Sequence, residues 1–111
     1  MKLKVNLFRE KNIPIGIITN GGGERELNRA AYISKVLCLD KKYSLNESEV
    51  FLCHSPMKEL RDTYKDKLIL VSGVGEVEKV MMHYGFKDFI TTEEYCVHFP
   101  VLISQFFHEK E

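Results

Sequence analysis

The 111-residue sequence has no surplus of charge of either sign: sixteen lysines and arginines stand against sixteen aspartates and glutamates. That balance removes the global field by which basic proteins gather nucleic acid or anionic membranes, so any anion must be held by a local arrangement. Neither nucleic acid nor membrane is expected as a partner. Cysteine is scarce and odd in number. Cys38, Cys53 and Cys96 cannot all pair within the chain, which argues against a disulfide scaffold and for a reducing compartment. The cytoplasm is the simplest such place, with an organelle left open. No apolar run reaches the ~20 residues a spanning helix requires, and nothing near Met1 reads as a leader. Repeats, low-complexity tracts and flexible linkers are also missing, so the chain reads as a single unit.

What is present is ordinary globular material, 44% hydrophobic and 29% charged, and about two thirds of the unfolded surface can be buried at this length. Apolar runs alternate with amphipathic stretches. Residues 2–11 fit either a strand or a helix, and a helix is favoured. The nearly continuous apolar run Ile13 to Thr19 predicts a strand covered on both faces. Glu24 to Leu39 predicts a helix buried through Leu27, Ala30, Ala31, Ile33 and Leu37, with acidic residues in its first turn. Ser44 and Glu47 have capping-box spacing. Val50 to Cys53 is a short strand candidate with Cys53 packed in it, followed by Ser55 as an N-cap, Pro56 at the first helical position and a Met57, Leu60, Tyr64 stripe.

The segment LILVSGVGEVEKVMMHYGFKDFIT predicts a parallel βαβ unit. A strand from Leu68 to Ser72 leads into Gly73 and Gly75. Val77, Val80, Met81 and Tyr84 then mark one helical face, Gly85 supplies a left-handed stop, and Phe89 to Thr91 return as a strand. Thr91 and Glu94 can cap a further turn. Phe99, Leu102, Ile103 and Phe106 give an apolar stripe on a last helix starting near Pro100, and the Phe99 to Phe107 stretch either folds back on the sheet or mediates self-association.

The run IGIITNGGG, from Ile15 to Gly23, carries the candidate chemistry. At the carboxyl end of a parallel strand, Thr19 presents a hydroxyl, and the amides of Asn20, Gly21 and Gly22 can approach an anion unobstructed by Cβ atoms. The following helix dipole favours negative charge there. A tight βα turn with no ligand explains the same glycines equally well. Elsewhere the signals are weaker. Gly73-Val-Gly75 lacks the third glycine of a dinucleotide fingerprint and is flanked by Glu76 and Glu78. Cys53-His54 and Cys96-Val-His98 lack the spacing of a zinc site, so no metal site is expected. His54 and Ser55, at a strand end, are candidates for contact with a substrate; a capping serine beside a surface histidine is the plainer account.

In order, TNGGG, FLCHSPMKEL (Phe51 to Leu60), LILVSGVGEVEKVMMHYGF and the TTEEY of Thr91 to Tyr95 resemble the haloacid dehalogenase superfamily. The nearest likeness is to the branch with an α/β cap inserted after the second motif, the cat-eye-syndrome critical region group. The resemblance implies a Rossmann-like three-layer α/β fold with mostly parallel strands, with residues 1–40 as partial core and about 41–111 as cap-like sequence. It implies hydrolysis of phosphate esters through an aspartyl phosphate with magnesium, Thr19 binding the transferring phosphoryl group beside Asn20 and the Gly21 amide. The partner it implies is a phosphate or phosphorylated small molecule.

The family's other parts do not carry over. Asp40, Asp62, Asp66 and Asp88 are not in Asp-x-Asp spacing, the Gly-Asp magnesium motif is missing, and no matching third-motif lysine is found. The chain accordingly reads as an internal piece of a larger hydrolase that is inactive alone, or a degenerate homologue, with Met1 leading at once into structured sequence. The alternative is a noncatalytic α/β binding or interaction module.

Overall fold

The structure, a computed structural model, describes residues 2–101. The favoured helix in residues 2–11 forms as α1, Lys2–Glu10. Strand β1, Ile17–Ile18, follows, and then helix α2, Glu26–Val36. A tight 3-10 turn at Glu47–Glu49 leads directly into β2, Val50–Phe51. A second 3-10 stretch, Ser55–Leu60, runs on into the single turn α3, Arg61–Tyr64. Strand β3 (Ile69–Val71), helix α4 (Val77–Tyr84), strand β4 (Phe89–Thr91) and helix α5 (Thr92–His98) complete the described residues.

Among the described residues all strand pairing is parallel, as the crossover helices dictate. Ile17 and Ile18 pair with Val50 and Phe51, while Ile69 to Val71 pair with Phe89 to Thr91. The result is two two-stranded parallel sheets, with β1 beside β2 and β3 beside β4. The fold is α/β with parallel strands. Because β1 and β2 are hydrogen-bonded neighbours, residues on both sides of position 40 share one sheet.

The predicted βαβ unit is the best-formed part. Val80, Met81 and Tyr84 are buried on the inner face of α4 and pack with Val71 and Phe86, while Met57, Ile69, Val77 and Phe89 border them. Gly85 closes the helix at φ +87, a conformation open to glycine at little cost. The cap at Thr91 also forms: its hydroxyl accepts from the Glu94 amide at 3.2 Å, and Glu94 Oε2 accepts from the Thr91 amide at 2.9 Å. Thr91→Val keeps the shape and removes that acceptor, so thermal or urea unfolding should show a loss of about 1 kcal/mol.

Several expectations are corrected. The run Ile13 to Thr19 contributes only two strand residues, and Ile18 is 87% exposed, because β1 has a neighbour on one edge and no layer of the described residues covers its outer face. Helix α2 buries Glu26, Ala30 and Ser34, whereas Leu27 and Ala31 face solvent and Ile33 and Leu37 are half-buried. Polar side chains win those inner positions because each is bonded there; Ser34 Oγ accepts from the Leu45 amide at 2.9 Å. The second core is accordingly small: Ala30, Leu45, Val50 and Leu52, bordered by Ile17, Ile33 and Leu39.

The capping box lies at Asn46 and Glu49 rather than Ser44 and Glu47. This shift lets Glu49 also receive the Arg9 guanidinium of α1. Residue 54, not 55, is the N-cap of the 3-10 stretch. Leu60 and Tyr64 are exposed, so of the predicted stripe only Met57 reaches the core. Cys53 lies beyond β2 and is exposed rather than packed in a strand. Phe99 stacks on Tyr95 with ring centroids 4.7 Å apart; Leu102, Ile103, Phe106 and Phe107 of the C-terminal stripe lie outside the described residues.

Candidate functional site

Thr19 sits just past the carboxyl end of β1, its amide donating to the Phe51 carbonyl at 3.0 Å and so continuing the ladder to β2. The Gly21 amide turns back and donates to Thr19 Oγ1 at 3.1 Å. This local turn fixes the hydroxyl oxygen and leaves its own hydrogen to donate. Thr19 and Asn20 line an open groove of about 560 Å³ with Ser55, Lys58, Glu47 and Glu59. Among the described residues Lys58 is the one cation lining it.

The expected phosphate-binding set is divided by the bend. Thr19 and Asn20 face this groove, Gly21 spends its amide on Thr19, and Gly22 lines a separate cavity with Cys53 and His54. Ser55 stands beside Thr19 in the groove, and His54 belongs to the other side.

The third glycine has a different task. Gly23 is at φ +76 and Gly75 at φ +91, and the two stretches of main chain lie against each other. The Glu76 amide donates to the Gly23 carbonyl at 2.6 Å. A Cβ on Gly23 would come within 2.3 Å of the Val74 carbonyl oxygen, and one on Gly75 within 2.4 Å of the Gly23 oxygen. Here the loop after β1 is docked on the loop after β3.

Beneath the bend lies a buried polar cluster that the sequence pattern did not disclose. Glu26, the first residue of α2, is 1% exposed. Its Oε1 accepts from Tyr84 Oη at 2.6 Å and Ser55 Oγ at 2.7 Å, and pairs with Lys58 Nζ at 2.8 Å. Burial alone would push this carboxyl up; the hydrogen bonds from Lys58, Tyr84 and Ser55, with one from its own backbone, outweigh it and bring the pKa down to about 2. Burial, and then the bond to the Glu26 carboxylate, push the Tyr84 phenol up.

Ser55 also accepts from the Leu52 amide at 2.8 Å, so its hydroxyl bridges the residue just after β2 to α2 instead of capping a helix. His54 Nδ1 lies 2.7 Å from Tyr84 Oη. The phenol hydrogen goes to the ionised Glu26, which has none to give, so Nδ1 must carry the hydrogen in the histidine contact. His54 Nε2 and Glu26 Oε2 are buried without a hydrogen-bonding partner among the described residues. His54 is thus held by a chain of bonds rather than lying free on the surface. The one available signal was an acidic residue in the first turn of a helix, which ordinarily marks an exposed charge.

The chain is a parallel α/β protein with a threonine hydroxyl held just past a strand's carboxyl end, the place where α/β sheets commonly gather ligands. Residues 2–87 match the haloacid dehalogenase-like hydrolase family, and the chain belongs to that family. It is 36% identical over 86 residues to a cardiolipin synthase (CMP-forming)/mitochondrial hydrolase fusion protein of Schizosaccharomyces pombe, a match covering 78% of this chain and 14% of that protein. It is 33% identical over 86 residues to a mitochondrial hydrolase of Saccharomyces cerevisiae, covering 78% of this chain and 23% of that one. The chain therefore spans less than a quarter of the length of either relative. None of the described helices is long and apolar enough to cross a membrane.

Proposed function

We propose that this chain carries the phosphoryl-binding turn of a phosphatase-type haloacid dehalogenase-like hydrolase, and that alone it binds a phosphate group without hydrolysing the ester. The observation that carries the reading is the Thr19 hydroxyl, pinned by the Gly21 amide at 3.1 Å and facing an open groove beside Asn20. A pinned oxygen that keeps its hydrogen is a preorganised donor for an anionic phosphoryl oxygen.

Turnover needs more than that donor. None of Asp40, Asp62, Asp66 and Asp88 lines the groove, so no aspartate stands where a covalent phosphoenzyme would form. Magnesium, which the family resemblance implies, does not fit the described residues: no three potential ligands among histidine, cysteine, aspartate and glutamate come together, and the groove's Glu47 and Glu59 share it with Lys58. The nucleophile and the ion would be supplied by sequence outside this chain. Three free thiols suit a reducing compartment, whether the cytoplasm or the mitochondrion named for the relatives.

The reading is tested with inorganic phosphate titrated into the full chain by calorimetry or ³¹P NMR. Thr19→Val should weaken binding by about tenfold or more, the worth of one hydrogen bond to a charged group, while Thr19→Ser should stay near wild type. With magnesium and p-nitrophenyl phosphate, no turnover above buffer is expected. Turnover that disappears in Thr19→Ala would overturn the inactive reading. Phosphate affinity equal in wild type and Thr19→Val would favour the noncatalytic interaction module, a reading that the exposed Ile18, Leu68 and Val74 otherwise support alone.

A further inference from the structure

A cavity of about 440 Å³ lies on the far side of the glycine bend, and neither Thr19 nor Asn20 lines it. Three loops meet there, each following a different strand: Gly22–Gly23 after β1, Cys53–His54 after β2, and Ser72–Gly75 after β3. Crevices at the carboxyl ends of parallel strands are where α/β proteins gather small ligands, and the volume is that of a small-molecule site. The floor is apolar, formed by Val71, Val80 and Met81 of the main core with Met57 beside them. One wall is closed by the main-chain contact of Gly23 with Gly75.

The lining decides what fits. Among the described residues no lysine, arginine, aspartate or glutamate lines it, so a charged ligand would lose its hydration without a charged side chain to compensate. Side-chain polarity among the described lining residues comes from the ring of His54, the thiol of Cys53 and the hydroxyl of Ser72. The His54 ring is immobilised through Tyr84 and Glu26, and so offers a fixed flat surface. Met57 and the buried Met81 both border the floor, and methionine side chains pack favourably against aromatic rings. We infer that this cavity binds a small uncharged aromatic molecule of one or two rings, seated against Met57, above the buried Met81, beside the His54 ring.

The experiment uses indole as probe and the full chain labelled with ¹³C at its methionine methyls. The Met57 and Met81 methyls should shift saturably, while Met82, 67% exposed on the outer side of α4, should not. Indole should also slow alkylation of Cys53, which lines the cavity, relative to Cys38, which does not. Ser72→Trp places an indole ring at the cavity and should weaken the probe's binding at least tenfold. If that variant fails to fold, as judged by circular dichroism, Val74→Trp on the 89% exposed rim residue replaces it. Benzoate, of similar size but charged, should bind at least tenfold more weakly than indole. Methyl shifts that do not saturate, shifts shared equally by Met82, indole binding unchanged in the folded tryptophan variant, or benzoate binding as tightly as indole would each overturn the inference.

Discussion

Glu26→Ala lowers stability by about 3 kcal/mol, the range for removing one partner of a buried, hydrogen-bonded ion pair. The substitution strips the acceptor from Tyr84, Ser55 and Lys58 together. It also loosens the joint between α2, the 3-10 stretch after β2, and α4. Lys58 is 43% exposed at its side chain, so Lys58→Met costs far less, about 1 kcal/mol or below, since water and salt screen that partner. Tyr84→Phe, which deletes one buried donor and leaves the ring, falls between them at about 1–2 kcal/mol.

The same group sets an acid limit. A carboxyl whose folded pKa is held at about 2, against an ordinary 4.5, stabilises the fold by an amount fully present above pH 4.5 and lost as the pH falls toward 2. The difference corresponds to about 3 kcal/mol. Urea midpoints should therefore fall steeply between pH 5 and pH 2 in the wild type, whereas Glu26→Gln, already weaker at pH 7, should converge with it at the acid end. Parallel pH profiles for the two proteins would sink the assignment of this acid dependence to Glu26.

Gly23→Ala is the second large effect. The new methyl would stand 2.3 Å from the Val74 carbonyl oxygen at a backbone φ of +76. Left-handed strain alone costs about 1–2 kcal/mol for an L residue. The clash falls on main chain, which has no rotamer to yield, and brings the expected total to about 3 kcal/mol or more. Gly21→Ala meets the flexible end of Arg29, at 3.1 Å, and touches Thr19 Oγ1 at an ordinary 3.4 Å, and should cost under about 1 kcal/mol. Thermal unfolding of the pair checks the contrast. Equal, small losses at both positions would mean that the docking of the two loops contributes nothing to the fold.

The glycine run shows how far a linear pattern can be read. Its place at a strand end before a helix, and the threonine at its head, follow from local order and were legible. That the consecutive glycines take on different contacts was not, since Gly75 is far away in sequence and only folding brings its backbone against Gly23. The same holds for the corrected elements. Local rules located the βαβ unit, the Gly85 stop and the Thr91 cap because each rests on neighbours a few residues apart. They misplaced the inner face of α2 because Glu26 and Ser34 are drawn inward by partners at Tyr84, Ser55 and Leu45, and hydrophobicity assigns polar residues to the surface. Ser55 was read as a cap from its position before proline; its hydroxyl bonds across the fold instead.

The sequence by itself determined the α/β class, the parallel crossover, the family and the threonine at the strand end, since helical and strand periods and short motifs act over a single element. The tertiary structure alone decided that Glu26 is a buried, ionised hub, that His54 is held by Tyr84, and that the glycine bend separates a polar groove from an apolar cavity. Each of those depends on side chains or backbone from distant segments meeting where water is excluded, and only there does a carboxylate's charge become worth a network of bonds.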